Sequence, residues 1–335
     1  MQHETRKHAR LSASRTDRFM QCPGSYRLES LMPYEPAGEA AAIGTAIHEL
    51  SEIILSGHAV PADTDKDHIA MAQSYADFVN NLVENPRKKL IEVSLDEGLK
   101  SLHPALGGTA DAVLVDGDHL HVVDLKTGRV AVDATDNKQL LTYALGAMRQ
   151  FKAPERITCT MHIFQPRVGH SKWTVTGQDL IEHGQRLKAA AELALTSDAP
   201  TSPSPDACRY CRAKTICPSM REKVQEAARN DFLPDTTVTP DMLDTAALVA
   251  AWADAVQTAA KDQIANGQAI TGWTMRAGRK TKFWKDEKLV MEAFKNDLSV
   301  WELKSPSAVL KLGVEVSEDL VGEKVAAASL VRSKE

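Results

Sequence analysis

The stretch from Gly107 to Ala144 constrains this chain most, because a turn signal sits between two runs of β-branched and aliphatic residues and a helical pattern follows. It reads Gly-Gly-Thr-Ala-Asp111-Ala-Val-Leu-Val, then Asp116-Gly117-Asp118, then His-Leu-His-Val-Val-Asp124-Leu-Lys126-Thr-Gly. Such flanks around Asp-Gly predict a β-hairpin. A four-residue loop at 116–119 sets Asp111 directly opposite Asp124, and a two-residue loop sets them on the diagonal, roughly 5 Å or 7–8 Å apart. Lys126 follows Asp124 by two residues and so points the same way.

Two carboxylates and an amine on one face have a chemical use. Mg²⁺ prefers hard oxygen ligands and takes only one or two protein carboxylates while keeping several waters. An ion held by Asp111 and Asp124 can lower the pKa of a bound water and neutralise charge on a scissile phosphate. Lys126 beside it would position or deprotonate that water and stabilise the pentacovalent phosphorus. Asp-x-Lys recurs at Asp136, at Asp286 and, as Glu-x-Lys, at Glu302. Only the Asp124 copy has an apolar lead-in, a hairpin partner bearing an acid, and a helix behind it. That helix, starting near Asp136, carries Gln139 and Tyr143 four residues apart and thus on one face. Leu140, Leu141, Ala144, Leu145 and Met148 are left to pack against the sheet.

The succession Gly44-x-x-x-His48, Gly108-Thr-Ala-Asp111, Val-Val-Asp124-Leu-Lys126-Thr-Gly and Gln139-x-x-x-Tyr143-Ala resembles the RecB-type branch of the PD-(D/E)xK nucleases. The resemblance covers about residues 10–220. It implies a restriction-endonuclease-like α/β fold and a metal-dependent DNA-cutting centre. In that centre His48, Asp111 and Asp124 ligate Mg²⁺ or Mn²⁺, Lys126 is catalytic, and Gln139 and Tyr143 support the site.

Five cysteines give a second signal: Cys208-x-x-Cys211-x₅-Cys217 is clustered late and Cys22 lies far upstream. Four thiolates suffice for a [4Fe–4S] cluster or for structural zinc. One cysteine before the core and three after it is similar to the AddB subunit and to CRISPR adaptation nucleases, and that resemblance selects iron–sulfur, with a structural clasp as its role. Cys159, in an apolar strand-like run, reads as a buried small hydrophobe.

A length of 335 residues suggests two domains. The expected division is a nuclease domain at 1–230 and a small C-terminal α+β module at 231–335. Ser14-Arg-Thr-Asp17 reads as a capping box opening a short helix. Helices are expected at 36–56 and 66–84, a strand at 89–95, strands at 156–165 and 171–176, then a helix to about 197. This order suits a central mixed sheet with helices on both sides. Residues 196–205, rich in Ser, Thr and Pro, read as a linker delivering the late cysteines. A helix at 240–266 precedes a basic and aromatic run in which Arg276, Arg279, Lys280 and Lys282 alternate with Trp273, Phe283 and Trp284. That run would contact DNA phosphates and stack on bases, or else form an amphipathic hairpin. Short helices at 287–296 and 306–312 complete the module.

A net charge of −5 does not advertise a nucleic-acid binder, although local distribution decides such binding. Reduced thiols and a polar beginning point to the cytoplasm, the host's if the chain is phage-encoded, as the similarity to uncharacterised phage nucleases of the RecB branch implies. No run of about 18 apolar residues exists, so no membrane span is expected. No P-loop motif is present, so a helicase would have to come from a partner, and a single-strand-binding or annealing protein is another expected partner. The residues and the resemblance together predict a Mg²⁺- or Mn²⁺-dependent deoxyribonuclease, and the resemblance implies an exonuclease in recombination or repair. The rival readings are a non-catalytic DNA-end-binding or scaffolding protein that retains the fold, and a zinc-stabilised structural protein.

Overall fold

The computed structural model describes residues 9–33, 38–229 and 237–275. Its elements are β1 (Leu11–Ser12), α1 (Thr16–Gln21), α2 (Ser25–Ser30), α3 (Glu39–Leu55), α4 (Lys66–Leu82), β2 (Lys88–Ser94), α5 (Asp96–Lys100), β3 (Leu106–Gly107), β4 (Thr109–Asp116), β5 (His119–Leu125), α6 (Lys138–Gln150), β6 (Thr158–Gln165), β7 (Gly169–Thr176), α7 (Gly177–Ala194), α8 (Pro205–Arg209), α9 (Pro218–Arg229) and α10 (Pro240–Ala265). The chain divides into Met1–Trp273 and Thr274–Glu335. Helix α10 therefore lies in the first unit, packed against α8 and α9, whereas the sequence suggested a new module from residue 231. Arg276, Arg279, Lys280 and Lys282, and the helices expected at 287–296 and 306–312, lie outside the described residues.

A five-stranded mixed sheet in the order β2-β4-β5-β6-β7 forms the centre, with β1 and β3 paired as a separate short parallel ribbon. Its pairs are antiparallel except β5 with β6, which run parallel and are joined through α6. A parallel pair needs such a crossover, and the helix is supplied by the Leu140, Leu141, Ala144, Leu145 and Met148 stripe. Alternation along β4 and β5 then feeds two cores. Val113, Leu120 and Val122 pack with α6, α7 and α1, while Ala112, Leu114, Val123 and Leu125 pack with α3 and α4. Each large aliphatic side chain so buried contributes about 1.5–3 kcal/mol, so the two faces fix the register of the hairpin.

The expected capping box at Ser14 does not form. Residues Ala13–Arg15 make a 3₁₀ turn, α1 begins at Thr16 behind Arg15, and Ser14 Oγ lies 3.1 Å from Ser12 Oγ. The reason is tertiary: β1 is tied to β3, so the chain enters the helix from a paired strand rather than through a serine cap. A complete capping box occurs instead at Thr176 and Asp179, opening α7. Nor is 196–205 a free linker, because Gly24 N–H donates to Pro200 O at 2.8 Å and Ser202 N–H to Cys22 Sγ at 3.3 Å. A Cβ at Gly24 would lie 2.6 Å from Ala199 O, so this docking requires glycine. Among the described residues no helix is long and apolar enough to cross a membrane.

Candidate metal centre

The β4–β5 turn is two residues long, Gly117-Asp118, with Asp116 paired to His119. Our expectation that a two-residue loop would offset the acids diagonally fails, because the turn is centred one residue later than Asp116-Gly117. The register from Ala112↔Val123, continued by one residue, sets Asp111 straight across from Asp124. On the other side of β4, the pairs Ile91↔Ala112 and Val93↔Ala110 bracket Glu92 opposite Asp111. Three carboxylates thus stand in a row over three adjacent strands. Like charges directly opposite each other are destabilising, and Lys126 beside Asp124 and His48 beside Asp111 offset part of that cost.

The sequence reading missed Glu92. A glutamate in Leu90-Ile-Glu-Val-Ser94 looks like an ordinary outward residue of an alternating strand, and only the pairing shows what it faces. Its backbone adds a second mark, since Glu92 takes φ +46° within β2. A non-glycine residue held in the left-handed region costs about 1–3 kcal/mol, and such strain gathers at functional sites.

His48, Glu92 and Asp111 each offer one ligand atom, and these atoms lie within 4.8 Å of one another. His48 Nδ1 is 3.3 Å from Asp111 Oδ1. Helix α3 brings it there by approaching the loop after Lys126 closely: a Cβ on Gly44, one turn before His48, would be 3.2 Å from Thr127 Oγ1. That contact gives the Gly44-x-x-x-His48 spacing a physical reason. Burial opposes a charge on His48, but the hydrogen bond to Asp111 and the nearby carboxylates outweigh it and raise its pKa.

Asp111 also ends the ladder. Its Oδ2 accepts Leu125 N–H at 2.7 Å, taking the place of a strand partner. Lys126 N–H donates to Phe164 O at 2.9 Å, so β6 holds the backbone of the Asp-Leu-Lys segment. Lys126 Nζ then lies 2.8 Å from Asp124 Oδ2. Burial raises the pKa of Asp124, countered in part by Lys126. Burial disfavours the Lys126 charge, yet Asp124 and Asp111 prevail and raise its pKa, so it remains an ammonium. Asp124 Oδ2 is buried, and the Lys126 ammonium is what it faces.

Helix α6 supplies the far wall. Asn137 Oδ1 caps it by accepting Leu140 N–H, which fixes the first turn so that Gln139 faces the hairpin. Gln139 Nε2 donates to Asp124 Oδ1 at 3.1 Å and to Tyr143 OH at 3.0 Å, while its Oε1 accepts from Lys126 Nζ at 3.1 Å. Tyr143 is raised above the ordinary tyrosine range by burial. The structure therefore brings together every sequence-predicted residue of this group: His48, Asp111, Asp124, Lys126, Gln139 and Tyr143. Tyr75 of α4 joins them unannounced, its buried hydroxyl without a partner and its pKa raised by burial and by Asp111, Asp124 and Glu92. A cleft of about 500 Å³ opens beside the group, lined by Ser12, Ser14, Glu92, Ser94, Thr109 and Tyr143 among others. A larger one, about 610 Å³, lies between the cysteine segment and α10 and touches none of these acids. The chemistry points to the smaller.

The four cysteines outside the sheet share one neighbourhood. Cys22, Cys208 and Cys211 are buried and Cys217 is half-buried, all as free thiols. Burial raises Cys22 and Cys208 and pushes Cys211 up to about 11; Cys22 and Cys217 also raise Cys208 electrostatically. Glu29, almost fully buried, fastens the region by accepting from Arg18 at 2.6 Å and from Arg212 N–H at 2.9 Å. Cys159 sits in the sheet, fully buried with its thiol pushed up to about 12, as a small hydrophobe should.

A family described as "Protein of unknown function (DUF2800)" matches residues 8–303 of this chain. Among solved structures, the "Crystal structure of SSO0001" is 14% identical over 65% of this chain and 89% of its own, with a TM-score of 0.33. At that level the shared chain path is too small to bear on function.

Proposed function

We propose that this chain, which belongs to the DUF2800 family, is a Mg²⁺- or Mn²⁺-dependent deoxyribonuclease with a restriction-endonuclease-like core. The observation that carries the reading is the row Glu92, Asp111 and Asp124, with His48 beside Glu92 and Asp111 and the Lys126 ammonium paired to Asp124. Carboxylate oxygens suit a hard divalent cation, and Glu92 of this group lines the adjoining cleft.

Asp111, Asp124, Glu92 and His48 would hold the ion, which when bound supplies an acidified water and charge neutralisation at phosphorus. The remaining residues divide the rest of the work. Lys126, paired to Asp124, would position or deprotonate the attacking water and stabilise the pentacovalent phosphorus. Gln139 orients both Asp124 and Lys126, and Tyr143 orients Gln139. The hydroxyls of Ser12, Ser14, Ser94 and Thr109 line the cleft where a strand of DNA would donate its phosphate.

Cys22, Cys208, Cys211 and Cys217 would hold a [4Fe–4S] cluster that clasps the N-terminal segment to the chain after α7; their thiol chemistry equally accepts zinc, and metal analysis of protein purified without oxygen separates the two. We read the protein as an exonuclease of DNA recombination or repair in a cytoplasm, phage-encoded, working with a helicase or a single-strand-binding or annealing protein. The test is digestion of end-labelled linear, circular and single-stranded DNA in Mg²⁺ and in Mn²⁺, beside Lys126→Ala. Metal-dependent loss of linear DNA that Lys126→Ala abolishes supports the proposal. Activity surviving Lys126→Ala overturns the mechanism, and inert protein that still binds DNA ends favours the scaffolding role.

A further inference from the structure

On β5, His119 and His121 alternate with Leu120, Val122 and Asp124, so they project from the sheet face opposite Asp124. There they meet histidines of the next two strands. His121 Nδ1 is 3.2 Å from His162 Nε2 on β6, and His162 Nδ1 is 3.0 Å from His170 Nε2 on β7. The rings stack in a ladder from His119 to His170, with Phe78 of α4 covering His162 and His170. His162 is 2% exposed, and His170 opens the ladder to solvent.

We propose that His121 Nδ1 and His162 Nε2 form a binding site for Zn²⁺ or a similar imidazole-seeking divalent ion, separate from the carboxylate centre. Two nitrogens bound to zinc at about 2.0–2.1 Å in tetrahedral geometry stand about 3.3 Å apart, close to the 3.2 Å of this hydrogen-bonded pair, so the ion would take the place of the proton the two rings share. Binding moves the shared proton of this pair to the far nitrogen of its ring. With Nε2 on the metal, His162 carries its proton on Nδ1 and donates it to His170 Nε2, the outer hydrogen bond that ligating histidines ordinarily make. His121 carries its proton on Nε2, and waters complete the coordination. Burial depresses His121 to about 4 and His162 to about 3, so at neutral pH both rings are neutral, and the single proton each keeps has to sit on the nitrogen facing away from the ion. Asp116 acts on His121 in favour of a cation, whereas Lys172 acts on His162 and His170 against one. Imidazole ligands suit zinc, copper and nickel better than Mg²⁺, so the two sites differ in the ion they take.

The experiment uses the full ¹⁵N-labelled chain in excess Mg²⁺, titrated with Zn²⁺ and followed by histidine ring ¹H–¹⁵N correlations. His121 Nδ1 and His162 Nε2 should move together to metal-bound shifts, and should do so equally in His48→Gln. His170→Ala, which removes the outer acceptor, should weaken Zn²⁺ binding there by about tenfold. His121→Gln leaves the buried His162 in place, and the His162 signal must then stop responding. The proposal is overturned if His121 and His162 stay unmoved at zinc levels that fill His48 and the cysteines. It is equally overturned if His162 responds unchanged in His121→Gln.

Discussion

Replacing Lys126 by methionine keeps the side chain's reach and deletes its charge. Asp124 would then be left with a side chain only 4% exposed and an oxygen that makes no hydrogen bond. At the 2.8 Å separation of the pair, an effective dielectric of about 20 gives an attraction of roughly 6 kcal/mol as an upper figure. Part of that only offsets the desolvation of both groups, and the ammonium end is 30% exposed. Breaking a buried pair by removing one partner typically costs about 3–5 kcal/mol, and we expect that loss for Lys126→Met in the absence of divalent ions. With about 2–4 °C per kcal/mol for a domain of this size class, the melting temperature should fall by on the order of 10 °C. The pH dependence has a definite sign. Burial places the folded pKa of Asp124 above its ordinary value, and removing Lys126, the main influence lowering it, raises it further. Folding then favours the protonated acid, so the penalty is full above the raised folded pKa and fades as pH falls through it. Mg²⁺ should restore stability at pH 8 without restoring cleavage. Scanning calorimetry of wild type and Lys126→Met, in chelator and in Mg²⁺, at pH 5 and pH 8, reads all of this. A variant as stable as wild type in chelator at pH 8 would refute the reasoning, because Asp124 could not then be a buried charge held by Lys126.

Glu92→Gln should keep the fold but lower divalent-ion affinity at least about tenfold, as loss of one ligand implies, and the thermal upshift produced by Mg²⁺ should shrink accordingly. An undiminished upshift would remove Glu92 from the centre. Because His48 must be neutral to ligate and its pKa is raised above 6.5, ion affinity in wild type should climb with pH across a range above that value. His48→Gln should flatten that rise in a titration followed by calorimetry; a wild-type profile already flat above pH 6.5 would contradict it. Cys208→Ser should bleach the brown colour of protein purified without oxygen and lower its iron content, with cleavage lost only as the fold loosens. Stoichiometric zinc and no iron in wild type would end the cluster assignment.

Local pattern was enough to predict the β4–β5 hairpin, α3, α4, α6 and the strands β6 and β7, because alternation and helical spacing reflect which side of an element is buried. The Asp124-Leu-Lys126 face followed from strand periodicity, and Gln139 with Tyr143 from helix periodicity. The sequence alone also grouped the four cysteines by type. Register across strands was not legible, since it depends on where a turn is centred and on which core each face must fill. For that reason the straight opposition of Asp111 to Asp124, and the whole part played by Glu92, were settled only when β2, β4 and β5 lay side by side. The histidine ladder is a tertiary fact in the same sense: His121, His162 and His170 lie on three strands, and only sheet order makes them neighbours. Periodicity tells a residue which way to face, whereas the partner it meets there is chosen by the packing of chain segments far apart in sequence.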